Sequence, residues 1–314
     1  MYRIFDLSLE CDIPLPELPE TGDAGPLINV QCGDRVVKTG IEPQWSHEWH
    51  DADGEVCIKY GRSGNDFLLQ FPGIIDFLVS YSGDTVQYFP GPDVPDEMIR
   101  HLLLDQVIPR IVGHKGRLVL HASAVVCDRG AIIFLGDAGS GKSTLAAGFC
   151  MQDYEILTDD CLLLSPDTGR IICIPCYPGI RLWDDSYKAV VNDDRYLSNI
   201  SYRAEKQRLI LHNAKTGQHI SAIPLTAVFI LNDKVRPDQD SQITIEPESG
   251  AAVVMDIIKQ SFVLDVHDKE RTGKLFAIAS GIANSGVQIY RLVYPYDYEM
   301  LNDVQQAIIQ KLKK

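Results

Sequence analysis

The residues of this chain with the clearest chemistry are the consecutive run Gly136-Asp137-Ala138-Gly139-Ser140-Gly141-Lys142-Ser143. They fit the pattern G-x-x-x-x-G-K-[ST], in which backbone N–H groups turn inward around phosphate oxygens at the start of a helix. We expect Lys142 to reach the β- and γ-phosphates of a nucleotide and Ser143 to ligate the Mg²⁺ that bridges them. The run therefore predicts a nucleotide polyphosphate site extending from Gly136 to Thr144. The alternative is a glycine-rich turn with a surface lysine.

The elements on either side of this run are those that a phosphate-binding loop requires. Ala131-Ile132-Ile133-Phe134-Leu135 is a continuous apolar run with branched and aromatic residues, which is typical of a buried strand. The residues from Thr144 to Phe149 are predicted to continue as a helix. A strand that feeds directly into a helix N-terminus would present the loop at one edge of a sheet.

A pair of carboxylates follows the predicted helix. Glu155-Ile156-Leu157 is a predicted strand, and it ends at Thr158-Asp159-Asp160. A carboxylate at this place can hold hydrated Mg²⁺, and a second one beside it can accept the proton of an attacking hydroxyl as a general base. The alternative is an Asp-Asp turn that caps a loop, because aspartates favour turns.

Four further residues are candidates for contact with phosphate. His121 is predicted to end the strand before the phosphate-loop strand, where it would hydrogen-bond the loop or a phosphate oxygen; the alternative is a half-buried histidine without a role. Arg181 is the one cation in Tyr177-Pro178-Gly179-Ile180-Arg181-Leu182-Trp183. It is a candidate clamp for a transferring phosphate or a substrate carboxylate, and the alternative is a structural salt bridge. Lys206 and Arg208 are candidates on a predicted mobile lid.

Composition sets the class of protein. The 314 residues are 45% apolar and carry a formal net charge of -14, which predicts a globular chain with a sizeable core and argues against a nucleic-acid surface. The first residues lack the apolar stretch of a secretory signal, and no apolar segment is long enough to span a bilayer, so we expect a cytoplasmic protein without a membrane partner.

The distribution of patterns along the chain predicts two domains. Residues 1–92 read as short strands separated by turn residues, which indicates a smaller β-rich N-terminal domain. Residues 93–314 begin with a helical pattern and continue as alternating strands and helices, which predicts an α/β domain. The short connection Ser165-Pro166-Asp167-Thr168-Gly169 indicates that some strands pair antiparallel, so we expect a mixed sheet flanked by helices.

The block Leu118–Leu164, with His121, the phosphate loop and then Leu157-Thr158-Asp159-Asp160, resembles the catalytic domain of HPr kinase/phosphorylase. The resemblance implies a fold related to phosphoenolpyruvate carboxykinase and an ATP- and Mg²⁺-dependent kinase that phosphorylates a serine of a protein or peptide. It also implies that Asp159 is the base, which leaves Asp160 to share the metal with Ser143. The segment 177–183, the Leu-His-Ala-Ser-Ala strand and the late Leu-Val-Tyr-Pro segment are similar to HPr-kinase-like proteins of peptide-modification systems, including lasso-peptide kinases.

The chain also departs from that family. Thr144 stands where the family usually has a glutamate after the loop serine, and no clear match to its later glycine-rich signature is present. These departures put phosphorolysis and HPr as the substrate in doubt. Two other functions stay open, a nucleotide-dependent module that delivers a peptide to a partner enzyme and a kinase of a small metabolite. GTP and pyrophosphate are alternative donors to ATP, and a homo-oligomer is an open alternative to a monomer.

Overall fold

A computed structural model describes residues 1–22, 25–33, 43–50, 54–177, 179–191, 197–198, 206–209, 222–231 and 242–313, with the backbone alone for 197–198 and 206–209. The chain forms two compact units. The first unit comprises Met1–Gly116 and Val263–His267, and the second comprises Arg117–Phe262 and Asp268–Lys314. The helical segment that follows residue 93 groups with the first unit by its contacts. The domain boundary between residues 92 and 93 that the sequence indicates stays a prediction.

The described part of the first unit is built on an eight-stranded mixed sheet in the order β1-β2-β3-β8-β7-β6-β5-β4. Its strands β1 to β8 are, in chain order, Tyr2–Ile4, Leu7–Cys11, Leu27–Cys32, Gln44–His50, Val56–Ser63, Asp66–Phe71, Ile75–Val79 and Thr85–Pro90. The pairs β2-β3 and β3-β8 are parallel, and the others are antiparallel. Alternation fixes the buried face: in β7, Ile75, Phe77 and Val79 are buried while the residues between them are partly exposed.

One helical segment completes the first unit. It consists of α1 (Asp96–Leu102), a π-helical stretch (Leu103–Val107) and α2 (Ile108–His114). The widened stretch ends immediately before Ile108 and Pro109, and a proline has no N–H with which to continue the regular ladder.

The described part of the second unit contains a nine-stranded mixed sheet with helices on both faces, as the sequence predicts. Its strands are β9 to β14, which are Leu118–Leu120, Ser123–Cys127, Gly130–Leu135, Glu155–Thr158, Leu162–Asp167 and Arg170–Pro175, and then β18 to β20, which are Ile223–Leu231, Thr244–Pro247 and Gln288–Val293. A small separate sheet is formed by β15 (Ile180–Trp183), β16 (Leu197–Ser198) and β17 (Lys206–Leu209). The helices are α3 (Lys142–Met151), α4 (Asp184–Val190), α5 (Ala251–Lys259), α6 (Lys269–Ala283) and α7 (Leu301–Leu312).

Strand β11 lies at the centre of this sheet and is buried on both faces. Ile132 and Phe134 belong to the apolar cluster that includes α3 and α7. Ala131, Ile133 and Leu135 belong to the opposite cluster, which includes α5 and α6. Because successive side chains point to opposite faces, a strand covered on both sides must be apolar throughout, which is the pattern seen in the sequence.

The Leu-His-Ala-Ser-Ala segment is a correction to the sequence prediction. It is not one strand: β9 ends at Leu120, β10 begins at Ser123, and the two join different neighbours, β13 and β11. His121 therefore lies in the break and does not end the strand before the phosphate-loop strand. The break is stabilised from outside the segment, because the His121 N–H donates to the Gln260 carbonyl at 2.7 Å and Leu120 bridges to Ser261.

No helix in the described part of the chain is long and apolar enough to cross a membrane.

Candidate active site

The predicted phosphate loop joins β11 to α3, as the sequence indicates. Gly136 and Gly141 have φ values of 149° and 97°, which side chains rarely adopt. A Cβ on Gly141 would lie 2.7 Å from the Tyr294 hydroxyl, and one on Gly136 would lie 2.7 Å from Ser140 Oγ. Both glycines are therefore required by backbone conformation and by close approach. The late Leu-Val-Tyr-Pro segment contributes one of the groups that approach the loop.

Two side chains of the loop bury polar groups, those of Lys142 and Ser140. Lys142 is only 5% exposed, and its Nζ donates to the carbonyl oxygens of Gly136 at 2.6 Å and Asp137 at 3.1 Å. Ser140 Oγ is buried without a hydrogen-bond partner in the described part of the chain. A buried hydroxyl normally has a partner, so this atom favours a polar ligand in the loop. Ser143 and Thr144 are half-buried in the first turn of α3.

The loop is also held from outside. Gln260 Nε2, at the end of α5, donates to Asp137 Oδ1 at 3.0 Å. Thr144 Oγ1 donates to Ser186 Oγ, on α4, at 3.3 Å. These bonds attach both ends of the loop to separate elements of the second unit.

The aspartate pair lies at the same edge of the sheet as the loop. Strand β10 pairs antiparallel with both β11 and β12, so the carboxyl ends of β11 and β12 point the same way. Ser123, at the start of β10, is in register with Phe134 near the end of β11. Its Oγ donates to Asp159 Oδ1, immediately after β12, at 2.5 Å. Ser123 thus connects the aspartate to the strand that carries the loop.

Asp159 is a buried carboxyl group, 5% exposed. Besides Ser123, the backbone N–H of Arg181 donates to its Oδ2 at 3.2 Å. Burial, followed by the nearby charge of Asp160, raises the pKa of Asp159 to about 6, although the bonds from Ser123 and Arg181 oppose the rise. Each oxygen keeps a further lone-pair site, because an ionised carboxylate has about four.

Asp160 is in contact with both remaining candidates. Arg181 donates from Nε to Asp160 Oδ2 at 3.0 Å and also from Nη2, while His121 Nδ1 lies 3.9 Å from Asp160 Oδ1. His121 also packs edge-on against Phe262, at 6.3 Å between ring centroids. The backbone of Asp160 has φ of 76°, in the left-handed region. The structure therefore brings His121, Asp160 and Arg181 into one cluster, in which Arg181 forms a salt bridge with Asp160, and contact of Arg181 with phosphate stays a prediction.

Magnesium is compatible with the predicted ligands. No group of three His, Cys, Asp or Glu residues suited to a metal occurs in the described ranges. Mg²⁺ does not need one, because it keeps several waters and binds through one or two carboxylates and substrate phosphates. Ser143 and Asp160 stay the predicted ligands.

Several contacts at this edge have no pattern in the sequence. The residues that make these contacts are single residues from distant segments, and no spacing relates them to the loop. They are Ser123, Gln260, Ser186 and Tyr294. Lys206 and Arg208 lie in β17, but their side chains are outside the described residues, as is Pro178. The lid stays a prediction.

Comparison with known proteins finds similar solved structures. The structure of the Hpr(Ser) kinase/phosphatase from Coxiella burnetii aligns with 62% of this chain and 99% of its own, at 11% sequence identity and a TM-score of 0.31. No protein-family model and no curated protein sequence matches the chain.

Proposed function

We propose that this protein is an ATP- and Mg²⁺-dependent kinase that transfers the γ-phosphoryl group to a serine hydroxyl of a peptide or protein. The observation that carries the proposal is the placement of Asp159. Its buried carboxyl group is fixed by two hydrogen bonds at the same sheet edge as the phosphate loop. A base held by donors from two different elements is oriented before substrate arrives, which is what general-base catalysis needs.

The phosphate loop supports the donor half of the reaction. The glycine conformations, the buried ammonium of Lys142 and the Ser140 hydroxyl, which has no partner among the described residues, favour a ligand rich in negative oxygens. When a triphosphate binds, Lys142 can exchange its contacts with loop carbonyls for phosphate oxygens and offset charge on the transferred group. Mg²⁺, held by Ser143 and Asp160, would supply further charge neutralisation of the phosphates.

The cluster around Asp160 supports a role in orientation. Arg181 makes two donor contacts with Asp160 and also presents its backbone N–H to Asp159. The planar, forked geometry of a guanidinium is suited to a phosphate or carboxylate oxygen. His121, beside the other oxygen of Asp160, adds a hydrogen-bonding ring to the same cluster. We propose that both residues orient the transferring group, with Asp159 as the proton acceptor.

The test begins with nucleotide binding, which does not require the acceptor. Wild-type protein should bind Mg-ATP, and Lys142→Ala should lose most of that affinity. The protein is then co-expressed with serine-containing peptides encoded beside its gene, and the products are analysed by mass spectrometry. We expect phosphoserine with the wild type and, for Asp159→Asn, a transfer rate about a hundred- to ten-thousandfold lower with nucleotide affinity retained.

The matched control is Asp167→Asn, an exposed aspartate of the same unit at the end of β13. This variant also removes one negative charge, but at a position away from the site. Its rate of phosphoryl transfer should therefore equal that of the wild type. Equal rates for Asp159→Asn and the wild type would refute the assignment of the base. ATP hydrolysis without a phosphorylated product would instead favour the delivery module, and phosphorylation of a small molecule would favour the metabolite kinase.

A further inference from the structure

The loop that follows β20 carries three tyrosines beside the phosphate loop. Tyr294, Tyr296 and Tyr298 alternate with Pro295 and Asp297 between β20 and α7. Strands β11, β18 and β20 are mutually parallel, so their carboxyl ends open at one edge of the sheet. In open α/β sheets, ligands bind outside the carboxyl ends of the strands. The tyrosine loop and the phosphate loop therefore leave the sheet on the same side, two strands apart.

Two anchors fix this tyrosine loop. At one end the Tyr294 hydroxyl lies 2.7 Å from the position that a Cβ on Gly141 would occupy. At the other end Tyr298 Oη donates to Asp185 Oδ2 at 3.0 Å and lies 3.1 Å from Ser186 Oγ. Ser186 in turn accepts from Thr144, in the first turn of the phosphate-loop helix. Tyr294 also packs against the apolar cluster that includes α3, so the tyrosine loop is held by packing at one end and by hydrogen bonds to α4 at the other.

Tyr296, between these anchors, is left with an available ring. Tyr296 is 47% exposed, so much of this large aromatic residue is in contact with solvent. Its ring lies 3.7 Å from the same Cβ position on Gly141 and 6.4 Å, between centroids, from the tilted ring of Tyr298. An exposed aromatic ring next to a phosphate site, on a backbone pinned at both ends, has the properties of a stacking surface for a nucleobase.

We infer that Tyr296 is the base-stacking residue of the nucleotide site, with Tyr294 and Tyr298 as the residues that position it. The inference rests on the proposed nucleotide-dependent function and adds the subsite for the base. Stacking on an aromatic face adds affinity for the nucleoside part of the ligand, while the phosphate loop supplies affinity for the phosphates. The two contributions can be separated, because inorganic tripolyphosphate carries the phosphates without a base.

The experiment measures the affinities of Mg-ATP and of Mg-tripolyphosphate by titration calorimetry. We expect Tyr296→Ala to weaken ATP binding about five- to hundredfold, from the usual worth of one base–aromatic contact, and to leave tripolyphosphate binding unchanged. Tyr296→Phe should retain ATP affinity because it keeps the ring. The matched control is Phe276→Ala, an aromatic residue of the same unit on α6 with 46% exposure, which should change neither affinity.

Three results would overturn the inference while leaving the phosphate site intact: unchanged ATP affinity in Tyr296→Ala, equal losses for ATP and tripolyphosphate, or wild-type protein that binds ATP no better than tripolyphosphate. Failure of the proposed function looks different. In that case wild-type protein binds neither ligand, and Lys142→Ala has no affinity left to remove.

Discussion

Replacing Asp159 by asparagine should stabilise the folded protein at neutral pH. The carboxyl group is buried, and burial together with the charge of Asp160 raises its pKa from 3.8 to about 6. At pH 8 the folded state must therefore hold a charge in a site that favours the neutral form. Asparagine is neutral at every pH. Its amide oxygen can accept from the Arg181 N–H while its NH₂ donates to Ser123 Oγ, because a hydroxyl both donates and accepts.

The magnitude follows from proton linkage. A group whose pKa is higher in the folded state stabilises it fully below the unfolded pKa, and that contribution is lost as the pH rises through the folded value. The pKa of Asp159 rises from 3.8 in the unfolded state to about 6 in the folded state. Ionisation of this group therefore lowers the free energy of unfolding of the wild type by about 1 kcal/mol at pH 4.5 and by about 3 kcal/mol at pH 8. The advantage of Asp159→Asn should grow accordingly between these pH values and level off above about pH 7.

The assay is denaturant unfolding followed by circular dichroism, at a series of pH values from 4.5 to 8, on metal-free protein without nucleotide. Wild type and variant are compared at each pH, so the titration of groups that do not interact with Asp159 cancels. Asp167→Asn, at an exposed site, should show no such trend. A variant that is no more stable than the wild type at pH 8, or an advantage that does not change with pH, would refute the reasoning about Asp159.

Two further predictions concern the helices that support the site. Gly148→Ala should destabilise the protein by about 1–3 kcal/mol, because the new Cβ would lie 2.2 Å from Gln305 Nε2 and 2.8 Å from Leu301 Cδ2. Gly281→Ala should instead stabilise the protein by about 0.5–1 kcal/mol, because Gly281 is exposed on α6 and nothing lies within 4 Å of the new Cβ. The check is urea unfolding, in which the two variants should change the free energy of unfolding in opposite directions. Asp268→Ala should cost about 1 kcal/mol, because Asp268 Oδ1 accepts from the Arg271 N–H at 3.0 Å at the start of α6. Asp268→Asn should recover most of that loss in the same measurement, and an unchanged alanine variant would contradict the role of the cap.

The parts of the site that local pattern encodes could be predicted from the sequence. The phosphate loop, β11 and α3 follow from glycine spacing and from a strand that is apolar on both faces, and both properties reside in a short window. The aspartate pair follows from the end of β12 in the same way. A mixed sheet flanked by helices follows from the alternation of strand and helix patterns with one short hairpin connection.

The remaining parts depend on residues that are distant in sequence. The break at His121 requires the carbonyl of Gln260, about 140 positions later, so a run such as Leu-Val-Leu-His-Ala-Ser reads as one strand until that partner is known. Ser123 is recognisable only through the register that sets it beside Asp159. Tyr296 has no periodic context at all. Its place is determined by the parallel pairing of β18 and β20 and by two anchors on other elements.

The left-handed backbone of Asp160 has a consequence for how this fold can change. Glycine would remove the backbone strain of a φ of 76° at Asp160, and a neutral residue would remove the cost of burying a charge at Asp159. Random substitution with selection for thermal stability alone should therefore replace these two aspartates first. A stabilised version of the chain that keeps both aspartates must gain its stability elsewhere, for example in the helices that cover the sheet. Consensus or computational redesign that treats the two positions as ordinary turn residues would yield a more stable protein without the aspartate pair that we propose to be functional.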